Sequence, residues 1–316
     1  PINRYDFDPE YCYTNNLPQI GEAIMSGNIS LQEECTVLLA QILNDVAKPQ
    51  CKPLIRRIVN MGVVEELVEL LQSGKQPRVQ QVSASALGHI AFKGTIAHTE
   101  EVVDAGAIRK LVRLLGSTNR LAARESAHAL GKIASHSNLK FRDKVLKARA
   151  VPSLLSLLKK FNDISALEVV SWTLWKLFTR EIPSLTSQTR TKQFARTRQP
   201  CLEPLAEILL NNQDKDTNLI DSRSSKKVQD TLRNVCWALY YICCGPSEAT
   251  RIVIRSGALE RLMELSDNAM DTILCVPASK ITEIIATRDS VWTKPIININ
   301  DLPMLMLFIS SEDEVV

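Results

Sequence analysis

The chain has 316 residues, is 45% hydrophobic and 23% charged, and carries a formal net charge of +3. That balance excludes a disordered polyelectrolyte and fits a folded chain with a large core. Aromatic residues make up only 5%, so aliphatic ridges must build that core. No apolar run approaches the roughly 18 residues needed to cross a bilayer as a helix, and the opening PINRYDFDPEYCY lacks the basic and apolar regions of a secretory signal.

Residues 1–16 read as an acidic segment, with Asp6, Asp8 and Glu10 against Arg4. From 17 to 308 the pattern is one of amphipathic runs with helical spacing. NMGVVEELVELL, DAGAIRKLVRLL, KARAVPSLLSLL and RSGALERLMEL share one template: a turn residue, an aliphatic, then an amphipathic run. Gly62, Gly106 and Gly257 hold the turn position, and Arg149 holds it in the third copy. A second template aligns SASALGHIA, SAHALGKIA, VSWTLWKLF and VCWALYYIC without gaps. It places Ser85, His128, Trp172 and Trp237 in one register, and one further step reaches Lys280 in PASKITEII.

The period lies in the low forties, with one excess of about 22 residues between Trp172 and Trp237, and belongs to armadillo or HEAT arrays. Each unit of such an array buries its apolar face only by stacking on the next. The expected fold is therefore all-α, a right-handed superhelical solenoid of about six armadillo repeats over residues 17–308. The excess falls in polar, non-periodic stretches near 181–199 and 211–227, expected to be loop insertions. The first of these carries Arg190, Lys192, Arg196 and Arg198; a solvated loop and a partner contact both fit them, the former more commonly. Residues 309–316 form an acidic tail.

Cys12, Cys35, Cys51, Cys201, Cys236, Cys243, Cys244 and Cys275 include no C-x-x-C pair. In a chain this long and this rich in core residues they read as reduced thiols. The four histidines, His89, His98, His128 and His136, show no metal-ligand spacing. There is no G-x-x-x-x-G-K-[ST] phosphate loop and no G-x-S-x-G elbow. A binding protein without cofactor or metal is expected, not an enzyme.

With its repeats aligned, the chain resembles the importin-α (karyopherin-α) family. The resemblance is carried by LPQIGEAIMSGNISLQEECTVLL (17–39), IVNMGVVEELVELL (58–71), SASALGHIA (83–91) and EEVVDAGAIRKLVRLLGS (100–117). It continues in FRDKVLKARAVPSLLSLL (141–158) and CWALYYICCGPSEATRIVIRSGALERLMEL (236–265). It implies that the third helix of each repeat lines a concave groove, where W-x-x-x-N pairs hold an extended peptide. Indole faces form slots for the stems of Lys and Arg, and the Asn amide both donates to and accepts from the peptide backbone. Nearby acids then select basic localisation signals.

Carried over position by position, the resemblance places Ser85 and His89 at the Trp and Asn positions of the second repeat, and His128 and Lys132 at those of the third. The fourth repeat keeps Trp172 with Lys176 in place of Asn, and the fifth has Trp237 and Tyr241. Glu125, one turn before His128, is a retained polar position, whereas two acidic positions are replaced by His136 and Asn234. A lysine cannot accept a hydrogen bond. At about 6 Å it repels a ligand cation by about 0.7 kcal/mol in water and about 3 kcal/mol at an effective dielectric of 20.

The resemblance thus implies an adaptor of protein import, active in cytoplasm and nucleus, that binds cargo peptides along an atypical, partly basic groove. A groove of inverted polarity would favour non-basic, even acidic, peptides. Residues 1–16 lack the basic segment through which that family engages importin-β, so that contact is not expected; neither is membrane or nucleic-acid binding. The alternative is a degenerate armadillo scaffold for protein–protein interaction without localisation-signal binding. Structural roles compete residue by residue: Trp172 and Trp237 as packing aromatics, His89 and His128 as neutral fillers, Lys132 and Lys176 as snorkelling side chains.

Overall fold

Short polar residues and left-handed turns set the helix boundaries of this chain. The computed structural model describes residues 16–46, 48–72, 76–179, 196–211, 222–267 and 272–288. Among them are sixteen α-helices, one 3-10 turn and no strand. They fall into two compact units, one ending at Leu177 and the other starting at Phe178.

The first unit opens with α1 (Leu17–Met25) and α2 (Ile29–Asp45), then repeats a short–short–long triplet three times. The triplets are α3 (Lys48–Asn60), α4 (Val63–Leu70) and α5 (Pro77–Lys93); α6 (Ile96–Asp104), α7 (Ala107–Leu114) and α8 (Arg120–Ala134); and α9 (Leu139–Lys147), α10 (Ala150–Lys160) and α11 (Ile164–Phe178). Three of the long helices, α2, α8 and α11, begin on side-chain caps: the Asn28, Asn119 and Asp163 side chains accept from the amides of Leu31, Ala122 and Ser165. Such caps satisfy amides that have no partner within the helix.

The first and second helices of a triplet join through one residue in the left-handed region. Gly62 (φ 74°) and Gly106 (φ 88°) supply it without steric cost, and Arg149 (φ 62°) takes the same conformation in the third copy. Each triplet turns aliphatic side chains inward, for example Leu67, Leu111 and Leu154 at one equivalent position. None of the three can be covered by its own triplet alone, so neighbouring triplets stack.

The second unit holds the 3-10 turn (Gln199–Cys201), α12 (Leu202–Asn211), α13 (Ser222–Cys243), α14 (Ser247–Arg255), α15 (Ala258–Asp267) and α16 (Thr272–Arg288). Gly257 (φ 78°) makes the turn between α14 and α15. The insertion expected at 211–227 is shorter than the sequence suggested, because α13 begins at Ser222. Ser222–Lys227 contains no Gly or Pro, and its Lys and Arg residues extend the helix anchored by buried Thr231 and Leu232. The remainder of that insertion, most of 181–199, residues 1–15 and the tail 309–316 lie outside the described residues.

Within each unit a cation at the end of one third helix caps the end of the preceding one. Lys93 donates from its ammonium to the carbonyls of Leu43, Asn44 and Val46 at the end of α2. Arg288 does the same for Cys243, Cys244 and Gly245 at the end of α13. Unsatisfied carbonyls and the negative end of the helix dipole both favour a cation there. These contacts fix the register of one third helix on the next, and so the alignment of the residues that project from them.

Candidate functional site

In the first unit the candidate residues project from α5, α8 and α11, and two glycines bring these helices together. A Cβ at Gly88 would sit 3.0 Å from the Cα of Ala129 and 3.2 Å from Cδ of Lys132. The Lys132 stem is thus laid over the bare backbone of α5. One repeat later, a Cβ at Gly131 would run into the six-membered ring of Trp172, so that indole lies against α8. Thr173 adds a cross-helix bond, its hydroxyl donating to the Ala127 carbonyl at 3.0 Å.

This close packing seals Lys132 at 6% exposure and His89 at 8%. The ammonium of Lys132 lies 3.2 Å from Nε2 of His89. An ammonium only donates, so Nε2 is the acceptor and the ring proton sits on Nδ1. That Nδ1 is buried and meets no hydrogen-bond partner among the described residues. Burial, then the positive charges of Lys132 and Lys93, hold His89 down to about 3. Burial, followed by Lys132 and Arg124, lowers His128 to about 4. Both rings are therefore neutral at physiological pH. Lys132 is itself lowered to about 8, by burial first, with the Glu125 carboxylate opposing and Lys93 adding to the shift.

Around this pair lie the partly exposed residues. Ser85 is partly exposed one turn before His89 on α5. His128 meets the Trp172 ring edge-on at 5.0 Å. The Lys176 ammonium stands 3.6 Å from the centre of Trp175 and 5.9 Å from that of Trp172, a cation–π geometry. Glu125, its side chain 17% exposed, is paired with Arg124 at 3.3 Å. His136 accepts from the Asn138 amide at the start of α9 and packs edge-on against Phe141, so it serves a turn. The snorkelling alternative for Lys132 does not hold: its ammonium points to an imidazole, not to water.

The second unit presents a different surface. Trp237 stacks on Tyr241 with ring centres 6.1 Å apart and planes 28° from parallel, and Tyr240 meets both edge-on. Asn234, one turn before Trp237 on α13, is buried. Burial first, then Cys244, pushes the Tyr240 phenol up to about 12. Arg198 is not a loop cation open to a partner. Its guanidinium donates to the Tyr241 carbonyl at 3.0 Å and the Phe178 carbonyl at 3.4 Å, and lies 5.4 Å from the Phe178 ring. Arg190 and Lys192 lie outside the described residues.

The sequence placed Lys132 and His89 in separate repeats and missed that they touch. The signal was present in the glycine shared by SASALGHIA and SAHALGKIA, which marks the close approach that drives the lysine onto the preceding helix. Among the described residues no cluster of His, Cys, Asp and Glu is arranged to hold a metal ion, and no helix is long and apolar enough to cross a membrane.

Stacked three-helix units with aromatic and polar side chains on their third helices define an armadillo-repeat protein. Residues 51–92 match the armadillo/beta-catenin-like repeat family. The chain is 30% identical to importin subunit alpha-1b of Oryza sativa subsp. japonica over 290 residues, 92% of this chain and 48% of that protein. It is 29% identical to importin subunit alpha-3 of Arabidopsis thaliana, over 92% of this chain and 49% of that one. The crystal structure of an engineered protein at 28% identity superposes with a TM-score of 0.68, over 86% of this chain and 99% of the other. A designed armadillo repeat protein at 19% identity and a TM-score of 0.67, over 85% of this chain and 99% of that one, shares the fold. The chain has the armadillo-repeat fold and is similar to the importin α subunits; it spans about half the length of the curated relatives it matches.

Proposed function

We propose that this chain is an importin-α-like adaptor that binds extended peptide segments of cargo proteins on its third helices, in cytoplasm and nucleus, without catalysing a reaction. The observation that carries this reading is the recurrence of partly exposed indoles, Trp172 on α11 and Trp237 on α13, at equivalent positions of third helices. An indole face takes the aliphatic stem of a long side chain or a ring edge. A third helix that exposes such a face suits a segment of extended chain. The relationship to importin α subunits supports the same reading.

The test is fluorescence polarisation of the full chain against labelled extended peptides: a lysine-rich localisation signal, a neutral sequence and an acidic one. Binding of at least one in the micromolar range or tighter, about −8 kcal/mol, is expected, weakened at least tenfold by Trp172→Ala or Trp237→Ala. A panel in which no peptide binds would sink the adaptor reading and leave an armadillo scaffold that recognises folded partners.

A further inference from the structure

We propose that the face formed by α7, α10 and the end of α9 in the first unit binds the phosphate backbone of duplex nucleic acid. Charge is spread unevenly along the chain. Residues 105–162 carry thirteen Lys and Arg against Glu125 and Asp143, in a chain whose formal net charge is +3. The rest of the chain is therefore net acidic. On the third helix α8, Arg120, Arg124 and Lys132 are taken up by Asp163, Glu125 and His89. The other ten cations sit on α7, α9, α10 and the turn between the last two. Lys110 pairs with Glu69 at 2.7 Å, Lys144 with Asp104 at 3.0 Å, and buried Arg142 with Asp143 at 3.4 Å. Arg109, Arg113, Lys147, Arg149 and Lys159 are exposed, and among the described residues none of their side chains forms an ion pair or hydrogen bond.

The engaged cations show how the open five are gathered. The Lys160 ammonium donates to the Gly116 and Ser117 carbonyls at 3.2 and 2.8 Å, tying the end of α10 to the end of α7. Lys159 therefore lies at the same end of the face as Arg113. The Lys144–Asp104 pair ties α9 to the end of α6, which puts Lys147 and Arg149 at the end where α7 and Arg109 begin. The bordering acids Glu69 and Asp104 are each held by a lysine. In the register of the Glu69–Lys110 pair, Glu65 falls at Gly106, one turn short of Arg109. Glu100 and Glu101, about one turn before Asp104, face the stretch of α9 around Lys140, so Lys140 is not counted in the patch. Packed helix axes lie about 8–10 Å apart and α10 runs about 16 Å. A duplex, with one charge per about 1.7 Å, presents several phosphates to a patch of that size.

The make-up of the face selects among polyanions. Among the described residues no exposed large apolar side chain lies on α7, α9 or α10. A membrane surface is entered by such side chains, and a protein interface draws most of its affinity from buried anchors, so neither partner is favoured. A single strand stacks its bases on rings, whereas Phe161, at the end of α10, already has the Lys160 ammonium 5.3 Å from its ring centre. A duplex backbone needs only cations on a fixed frame, and packed helices hold them without further ordering. Arg109, Arg113 and Arg149 add planar guanidinium forks that match phosphate oxygens. Nucleic-acid binding was not expected from the sequence, because these cations are scattered over three helices and only the fold gathers them.

The test is fluorescence anisotropy of a labelled mixed-sequence DNA duplex of about 20 base pairs, titrated with the full chain between about 50 and about 200 mM salt. Binding is expected at the lowest salt, with log K falling against log salt at a slope of about −4 to −5 for five phosphate contacts. Arg109→Gln, Arg113→Gln, Lys147→Gln and Lys159→Gln should each make that slope shallower by about 1. The four together should weaken binding at least tenfold at the lowest salt. All four side chains are exposed, and thermal melts check that the variants fold. Lys52→Gln, which removes an exposed cation on α3, should leave the slope unchanged. No duplex binding at about 50 mM salt, or a loss in Lys52→Gln equal to that in the patch variants, overturns the inference. Tighter binding of a single-stranded oligonucleotide, of polyglutamate or of phosphatidylserine vesicles would also overturn it. The inference does not rest on the peptide-binding reading: it stands or falls with the duplex, whatever the peptides do.

Discussion

At the scale of single residues, the unusual element is an ammonium held against a neutral imidazole inside a helix interface. Lowering Lys132 from 10.5 to about 8 corresponds to about 3 kcal/mol of disfavoured charge at neutral pH. Met has the same reach without the charge, so Lys132→Met should raise Tm at pH 7 by a few degrees. The sign gives a second check. The unfolded chain holds this proton up to about pH 10.5 and the folded chain loses it near 8, so wild-type stability rises between those values. The advantage of Lys132→Met should shrink over the same interval in melts recorded from pH 7 to 10.5. For His89 the folded value is also depressed, to about 3. Its stabilisation is complete above the unfolded value of 6.5 and is lost as pH falls toward 3. His89→Gln keeps an acceptor for Lys132 and removes the titration. Between pH 6.5 and 4 its unfolding should take up about one proton fewer than wild type, measured as the slope of stability against pH.

At the scale of helices and turns, glycine positions explain more than side-chain chemistry does. Gly131 is where the six-membered ring of Trp172 meets the neighbouring helix. Gly131→Ala should displace the indole and cost about 1–3 kcal/mol in chemical denaturation, because the clash is with a ring wedged between two helices. Arg149 is the reverse case, a residue with a Cβ where Gly62, Gly106 and Gly257 sit in equivalent turns. Arg149→Gly should stabilise the chain by about 0.5–1 kcal/mol, after subtracting the greater freedom of glycine in the unfolded state. The turns at Gly62, Gly106, Arg149 and Gly257 and the run of third helices were legible in the sequence, since each rests on a repeated local signal. The Lys132–His89 contact and the carbonyl caps of Lys93 and Arg288 were not: they join residues a whole repeat apart, as in the 43-residue separation of Lys132 and His89. Periodicity names such residues without showing that they touch. Arg198 was misjudged for the same reason, because its two carbonyl partners come from distant parts of the second unit.

At the scale of the molecule, one repeat architecture carries two kinds of third-helix surface. In the first unit it is rich in donors and positive charge, built on Lys132, Lys176 and His89; in the second it is a packed aromatic group of Trp237, Tyr240 and Tyr241. The relatives that this chain matches are importin α subunits, and peptide binding is the use proposed above for its third helices. Tryptophan emission reports on that use at its source, because Trp172 and Trp237 stand on the proposed surfaces. The decisive measurement is a titration of the full chain with extended peptides, following emission in wild type and in the Trp172→Phe and Trp237→Phe variants. The expected result is a saturable emission change that is reduced in each single variant and smallest in the double one, where Trp175 still stands on α11. Saturable binding, seen by an independent label, that leaves the emission of wild type unchanged and survives Trp172→Ala with Trp237→Ala would contradict it.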